Sequence, residues 1–247
     1  MYPYIHIILP SYAVLAFIGG FCVLLYVYLH LDTYQIAFTT FLKLFILCVA
    51  GGFIGSKLLF AFTKIPWLIQ NFSLQNLILL IPQSGYVFYG GLFGVIVTVL
   101  LCTRREKENR RIIFQLMAPA IPLFHGFGRI GCFLAGCCYG KKCEVPFVWR
   151  SLEIDRIPVQ LLEAVYEFLL FIVLVIVSKK KPEVDMLRIY LIAYAVFRFI
   201  NEFFRGDVVR GIFVGISTAQ WISIGIVLFY SCLSLRKKRK KYICKKM

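Results

Sequence analysis

An all-α integral membrane protein is the fold class this sequence predicts: a polytopic bundle of about seven transmembrane helices, N-terminus outside and C-terminus cytoplasmic. Three observations carry that expectation. Hydrophobic residues make up 60% of the 247, against roughly 45–50% in soluble domains, and the mean hydropathy is +0.81. The apolar residues fall into runs of roughly 20, the length that crosses a hydrocarbon core. The basic residues, which give a net charge of +16, lie between those runs and in the tail. No separate basic domain carries them, so the charge follows the Lys/Arg bias of cytoplasmic loops and no nucleic-acid partner is expected. One membrane domain over residues 1–235, with the substrate site inside the bundle, and a basic cytoplasmic tail over 236–247 account for the whole length.

The elements follow in order. Met1–Pro10 lacks a basic leader, so no cleavable signal peptide is expected. The first span covers Ser11–Leu31 and closes at His30 and Asp32. The second covers Phe38–Phe62, with Gly51, Gly52 and Gly55 as a small-residue face for close helix packing. Leu74–Ile81 is apolar but too short to span, which predicts an interfacial or re-entrant segment. The third span, Val87–Cys102, opens on Tyr89, Gly90, Gly91 and Gly94. Ile112–Tyr139 is the fourth, and Pro119, Pro122 and the glycines predict a helix interrupted beside a cavity. Pro158–Ser178, Met186–Phe204 and Ile212–Leu235 complete the set, with Pro158 suited to a helix start.

Charge between the spans sets the orientation. Arg104, Arg105, Lys107, Arg110 and Arg111 follow span three, Lys179–Lys181 follow span five, and eight Lys and Arg lie in Arg236–Met247. With seven spans these segments share one side, which the positive-inside bias makes cytoplasmic. The tail is then placed to lie against anionic lipid.

Gly126–Gly140 is the stretch around which the rest is organised. Arg129 stands there among Gly126, Gly128, Gly131, Gly136 and Gly140, between hydrophobic segments. An arginine at membrane depth costs at least about 2.5–3.5 kcal/mol, so it faces a cavity, a partner or an anionic ligand. Glycines let backbone or ligand approach closely. The expectation is the floor of a lipid-phosphate site. Arg198, Glu202 and Arg205, at i, i+4 and i+7, put a charged stripe on one face of the sixth helix. That stripe is either an internal ion pair on Glu202 or a phosphate clamp in which Glu202 orients Arg198. Arginine suits the clamp because its planar fork binds phosphate at two points and stays charged. Gln160 and Glu163 open the fifth helix, where Glu163 serves either the helix dipole or the site. Tyr12 and Tyr89 stand at span starts, where aromatic anchors are common.

The thiols Cys132, Cys137, Cys138 and Cys143 are spaced C-x4-C-C-x4-C. Structural zinc sites use pairs two to four residues apart with a longer gap between pairs, so metal is not the first expectation, while a disulfide is open in an oxidising compartment. His125 reads as a packed, satisfied histidine.

Taken together, these residues resemble the phosphatidylglycerol–prolipoprotein diacylglyceryl transferases of bacterial inner membranes. The resemblance runs from about Tyr12 to Trp221. It rests on Tyr89-Gly90-Gly91-Leu92-Phe93-Gly94, on Gly128-Arg129-Ile130-Gly131 with Phe133 and Gly140, on Pro158-Val159-Gln160-Leu161-Leu162-Glu163, on Phe197–Arg205, and on Gln220. It implies a multi-pass protein of the bacterial plasma membrane with seven spans and the N-terminus outside. The implied reaction moves the diacylglyceryl group of phosphatidylglycerol to the lipobox cysteine of a preprolipoprotein and releases glycerol 1-phosphate, with no cofactor. The implied catalytic set is Arg129, Arg198, Tyr89 and Glu202. The implied substrate-binding set is Arg129 with Tyr12, Gly90, Gly91, Gln160, Glu163 and Arg205. Two departures stand out. The pattern G-R-x-G-N-F-x-N-x-E of the family has Cys132, Ala135 and Cys137 at its polar positions here, and Tyr89 and Ile157 stand where the family has histidine. A paralogue on the same scaffold, acting on another acceptor or binding anionic phospholipid without this reaction, is the alternative.

Overall fold

A computed structural model describes residues 4–5, 9–73, 87–105, 107–143, 156–206 and 212–246. Leu74–Ile81, expected at an interface, lies outside them. Seven α-helices stand among the described residues: α1 Ser11–Tyr28, α2 Phe38–Gln70, α3 Phe88–Cys102, α4 Lys107–Leu134, α5 Val159–Lys180, α6 Met186–Asn201 and α7 Thr218–Lys246. Two short hairpins precede α1 and α7. Four helical stretches are long and apolar enough to cross a membrane: Ser11–Tyr28, Phe38–Ile65, Val159–Lys180 and Thr218–Leu235. The side chains are arranged for lipid: Phe17, Phe62, Ile69 and Phe229 are exposed, while Arg129, Glu163, Glu167 and Arg198 are buried.

Most helices keep close to the spans read from hydropathy, and the differences have local causes. The interruption expected at Pro119 and Pro122 is absent, and α4 runs on to Leu134. Each proline forfeits one helix hydrogen bond, but Pro119 is fully buried, where packing holds the turn. The sixth helix ends at Asn201 and passes into a 3-10 turn at Glu202–Phe204. The last helix starts at Thr218, not Ile212. Val214 and Gly215, both at positive φ, turn a hairpin between Ile212–Phe213 and Ile216–Ser217. Ser217 and Gln220 then form a reciprocal cap: the Gln220 amide donates to Ser217 Oγ at 3.2 Å, and the Ser217 amide to Gln220 Oε1 at 2.9 Å. Helix α6 is capped twice. Asp185 accepts from the Arg188 amide at 3.0 Å, and Gln115 Oε1 from the Met186 amide at 3.1 Å.

The chain divides into two compact units, Tyr28–Ile113 and, separately, Met1–Val27 with Phe114–Met247. In the first, α2 and α3 pack along facing glycines. A Cβ built on Gly55 would lie 2.9 Å from Gly94 Cα, and one on Gly90 2.7 Å from Leu59 Cβ. Ser56 Oγ accepts the Val87 amide at 2.8 Å and ties the start of α3 to α2. Backbone cannot rotate out of such a contact, so Gly55→Val is expected to destabilise the protein by about 1–3 kcal/mol or more, read as a lower thermal midpoint in micelles. Gly20→Ala, where a Cβ meets nothing within 4 Å, should leave the midpoint unchanged or raise it.

In the second unit, α1, α4, α5, α6 and α7 come together. Gly131 of α4 faces Tyr12 and Leu15 of α1, and Gly126 faces Phe168 of α5. Tyr26 meets Phe171 edge-on at 5.4 Å, and Tyr166 stacks on Phe197 at 3.9 Å while donating to Ala193 O at 2.8 Å. These contacts fix the rotation of α4, α5 and α6, and with it which side chains each turns inward.

Candidate active site

Three helices of this second unit each turn one polar face toward the others. Helix α4 presents His125 and Arg129, four residues apart. Helix α5 presents Gln160, Glu163 and Glu167. Helix α6 presents Tyr194, Arg198 and Asn201, followed by Glu202 and Arg205 beyond its end. Spacings of three and four residues make each set one face of a helix. All ten side chains are buried.

Glu163 is the hub. Its Oε1 takes Arg129 Nη2 at 3.0 Å and the Tyr194 hydroxyl at 3.0 Å. Its Oε2 takes Arg198 Nη1 at 3.0 Å and Asn201 Nδ2 at 3.3 Å. One carboxylate from α5 thus holds two guanidiniums, one from α4 and one from α6. Arg198 Nη2 also meets Glu202 Oε2 at 2.8 Å, and Arg205 Nη1 lies 3.6 Å from the same oxygen. Glu202 thus pairs with both arginines of its stripe. His125 closes the other flank. Arg129 Nε donates to His125 Nε2 at 3.1 Å, and His125 Nδ1 lies 2.8 Å from Glu167 Oε1. If Nε2 accepts, a neutral ring carries its proton on Nδ1 and donates it to Glu167. Three arginines and three glutamates balance formally, which is the condition for burying so many charges.

Arg129, Arg198, Glu163, Glu202 and Arg205, five residues singled out in the sequence, share one network. Gln160 lies on the same face of α5 and donates from Nε2 to Cys137 O at 2.7 Å, holding the turn after α4. Tyr12 is partly exposed on α1, against Gly131. Tyr89, Gly90 and Gly91 lie in the other unit. Tyr89 is buried and stacked on Phe93, while Gly90 and Gly91 face α2. Cys132, Cys137 and Cys138 gather at the end of α4, and Cys143 is exposed outside that group. Sequence reasoning missed Glu167, Tyr194 and Asn201. Their signal was spacing: Glu163 with Glu167, and Tyr194 with Arg198, repeat the four-residue step of His125 with Arg129.

The buried set offers two guanidiniums fixed on one carboxylate. A guanidinium carries five N–H donors in one rigid planar fork. Such donors suit a phosphate, whose oxygens accept charge-assisted bonds from planar forks. Residues 4–236 match the family model for prolipoprotein diacylglyceryl transferase. The chain belongs to the prolipoprotein diacylglyceryl transferase family. It is similar to the phosphatidylglycerol–prolipoprotein diacylglyceryl transferase of Clostridium tetani (strain Massachusetts / E88), 36% identical over 194 residues, 73% of this chain and 76% of that one. A second relative is the phosphatidylglycerol–prolipoprotein diacylglyceryl transferase 2 of Clostridium perfringens (strain 13 / Type A), 34% identical over 207 residues, 79% of each chain. The enzyme of that name from Idiomarina loihiensis (strain ATCC BAA-735 / DSM 15497 / L2-TR) is 32% identical over 203 residues, 79% of this chain and 74% of that one. As a member of the prolipoprotein diacylglyceryl transferase family, this chain holds its two arginines on a common carboxylate, and Cys132 lies one turn beyond Arg129, with Cys137 past the end of α4.

Proposed function

We propose that the protein transfers the diacylglyceryl group of phosphatidylglycerol to the lipobox cysteine thiol of preprolipoproteins and releases glycerol 1-phosphate. The observation that carries this reading is the Arg129–Glu163–Arg198 bridge, with both ion pairs at 3.0 Å inside a buried site. The acceptor sulfur attacks the glyceryl carbon bonded to the phosphate oxygen. The C–S bond forms as the C–O bond breaks, the bonding pair goes to the leaving phosphate, and the thiol proton is lost. The phosphate thereby gains one negative charge. Arg129 and Arg198 are held where they meet that developing charge without reorganising, the kind of electrostatic preorganisation that supplies much of the rate enhancement in enzymes. Glu202 positions Arg198, Arg205 adds charge behind it, and Gln160 and Tyr12 border the substrate. Tyr89 is the proposed proton donor or base, with Gly90 and Gly91 beside it.

The surroundings proposed for this chemistry are seven spans in a bacterial plasma membrane. Residues 1–235 form one membrane domain, with the N-terminus outside and the tail of 236–247 cytoplasmic. The apolar helices and the Lys/Arg bias of the segments after α3, after α5 and in the tail support that arrangement. The test is incubation of the purified protein with phosphatidylglycerol and a lipobox peptide, read by mass. A peptide heavier by one thioether-linked diacylglyceryl group is expected. An unmodified peptide rejects the reaction and leaves a lipid-binding paralogue.

A further inference from the structure

We propose that Cys132, Cys137 and Cys138 form a trithiolate site for a thiophilic d10 metal cation of the zinc or cadmium class. The three sulfurs lie within 4.8 Å of one another. Three sulfurs bound to one ion at about 2.3 Å stand roughly 3.8–4.0 Å apart, so closing the shell requires movements of under about 1 Å.

The backbone explains why the thiols meet despite a spacing that reads poorly as a metal motif. Gly136, at φ 73°, ends α4 in a Schellman turn: the Cys137 amide donates to Cys132 O and the Gly136 amide to Phe133 O, both at 3.1 Å. That turn places its second residue beyond the cap over the third-last residue of the helix, here Cys137 over Cys132. Cys138 also has positive φ, at 59°, which folds its side chain back toward the same point. A non-glycine residue holds that conformation only where its surroundings fix it. The turn is fixed from both sides. Gln160 holds Cys137 O, the Gly206 amide donates to Tyr139 O at 3.0 Å, and the Lys141 amide to Phe204 O at 2.9 Å.

Charge and access agree. Three thiolates around a divalent ion leave one net negative charge, and Arg129 and Arg205 both bear electrostatically on Cys138. Cys137 is exposed, so an ion can enter and a fourth position stays open to a solvent-borne ligand. A disulfide uses two of the three sulfurs and strands the third. One ion engages all three. His125, Glu163 and Glu167 also gather donor atoms within 4.8 Å, but two guanidiniums already occupy the Glu163 oxygens, and a cation there would be repelled.

The experiment uses the full-length protein in micelles, stripped with chelator and kept reduced with a phosphine, titrated with Cd2+ and with Co2+. One ion per chain is expected, with a sulfur-to-metal charge-transfer band and a tetrahedral Co2+ spectrum. Cys138→Ser should weaken binding by more than the roughly 10–100-fold that loss of a mere outer-shell partner costs, and Cys143→Ser should leave it unchanged. Cd2+ should raise the thermal midpoint of the wild type and not of Cys138→Ser, which separates loss of the site from loss of the fold. Absence of the band in reduced, folded protein, binding indifferent to Cys138→Ser, or a Cys132–Cys137 cross-link with no metal uptake after reduction would each overturn the proposal. None of these readouts depends on transferase activity.

Discussion

Arg129→Ala is expected to lower the rate of diacylglyceryl transfer by about 10²–10³, the cost of removing one donor aimed at developing charge. The effect should fall mainly on kcat/KM, measured from the mass of the peptide product at varied phosphatidylglycerol. Arg129→Lys keeps the charge but should restore little. Arg129 uses its fork in two directions, Nη2 to Glu163 and Nε to His125, and an ammonium on a flexible stem cannot reproduce both. The fold should survive Arg129→Ala, because Glu163 retains Arg198, Tyr194 and Asn201. A variant that keeps full activity would remove Arg129 from the phosphate site.

Glu163→Gln is expected to act on the fold as strongly as on the chemistry. The substitution keeps shape but removes the charge between two buried guanidiniums. Breaking a buried ion pair on one side costs about 3–5 kcal/mol, since the partner charge is left uncompensated. For a chain of this size that corresponds to a thermal midpoint lower by roughly 10 °C, measured in micelles. The glutamine keeps one acceptor oxygen, for either Tyr194 or Asn201, and turns an amide N–H toward the other site, so the loss combines the missing charge with one exchanged hydrogen bond. A midpoint within a degree or two of wild type would mean that the arginines find other compensation, and that Glu163 is not what holds them.

Much of the fold was legible because hydropathy reports membrane helices directly. The spans read from Ser11, Phe38, Pro158 and Met186 start at or next to where the helices do. Pro119 and Pro122 misled because a proline costs one hydrogen bond, and burial in α4 compensates for it locally. The last span misled because Ile212–Ser217 is apolar enough to read as helix, while positive φ at Val214 and Gly215 makes a hairpin. In the site, Arg129 and Arg198 stood out as arginines amid apolar sequence. Glu163 was singled out too, but only beside an equal alternative, because a lone carboxylate near a helix start has an ordinary use in the helix dipole. Tyr194 looked like core. Its role, like that of Asn201 and Glu167, exists only once α4, α5 and α6 are rotated against one another. The thiols were hidden for a different reason. The C-x4-C spacing straddles a helix end, and only the left-handed turn at Gly136 brings Cys132 and Cys137 together.

The central claim is that Arg129 and Arg198 act on one phosphate, and a double-mutant cycle on transfer rate tests it most directly. Groups serving a single charge couple, whereas independent sites multiply. Each alanine variant should lose about 10²–10³ in kcat/KM, and the double variant no more than about tenfold beyond the worse single. A double variant slowed by the full product of the two single losses would contradict the account.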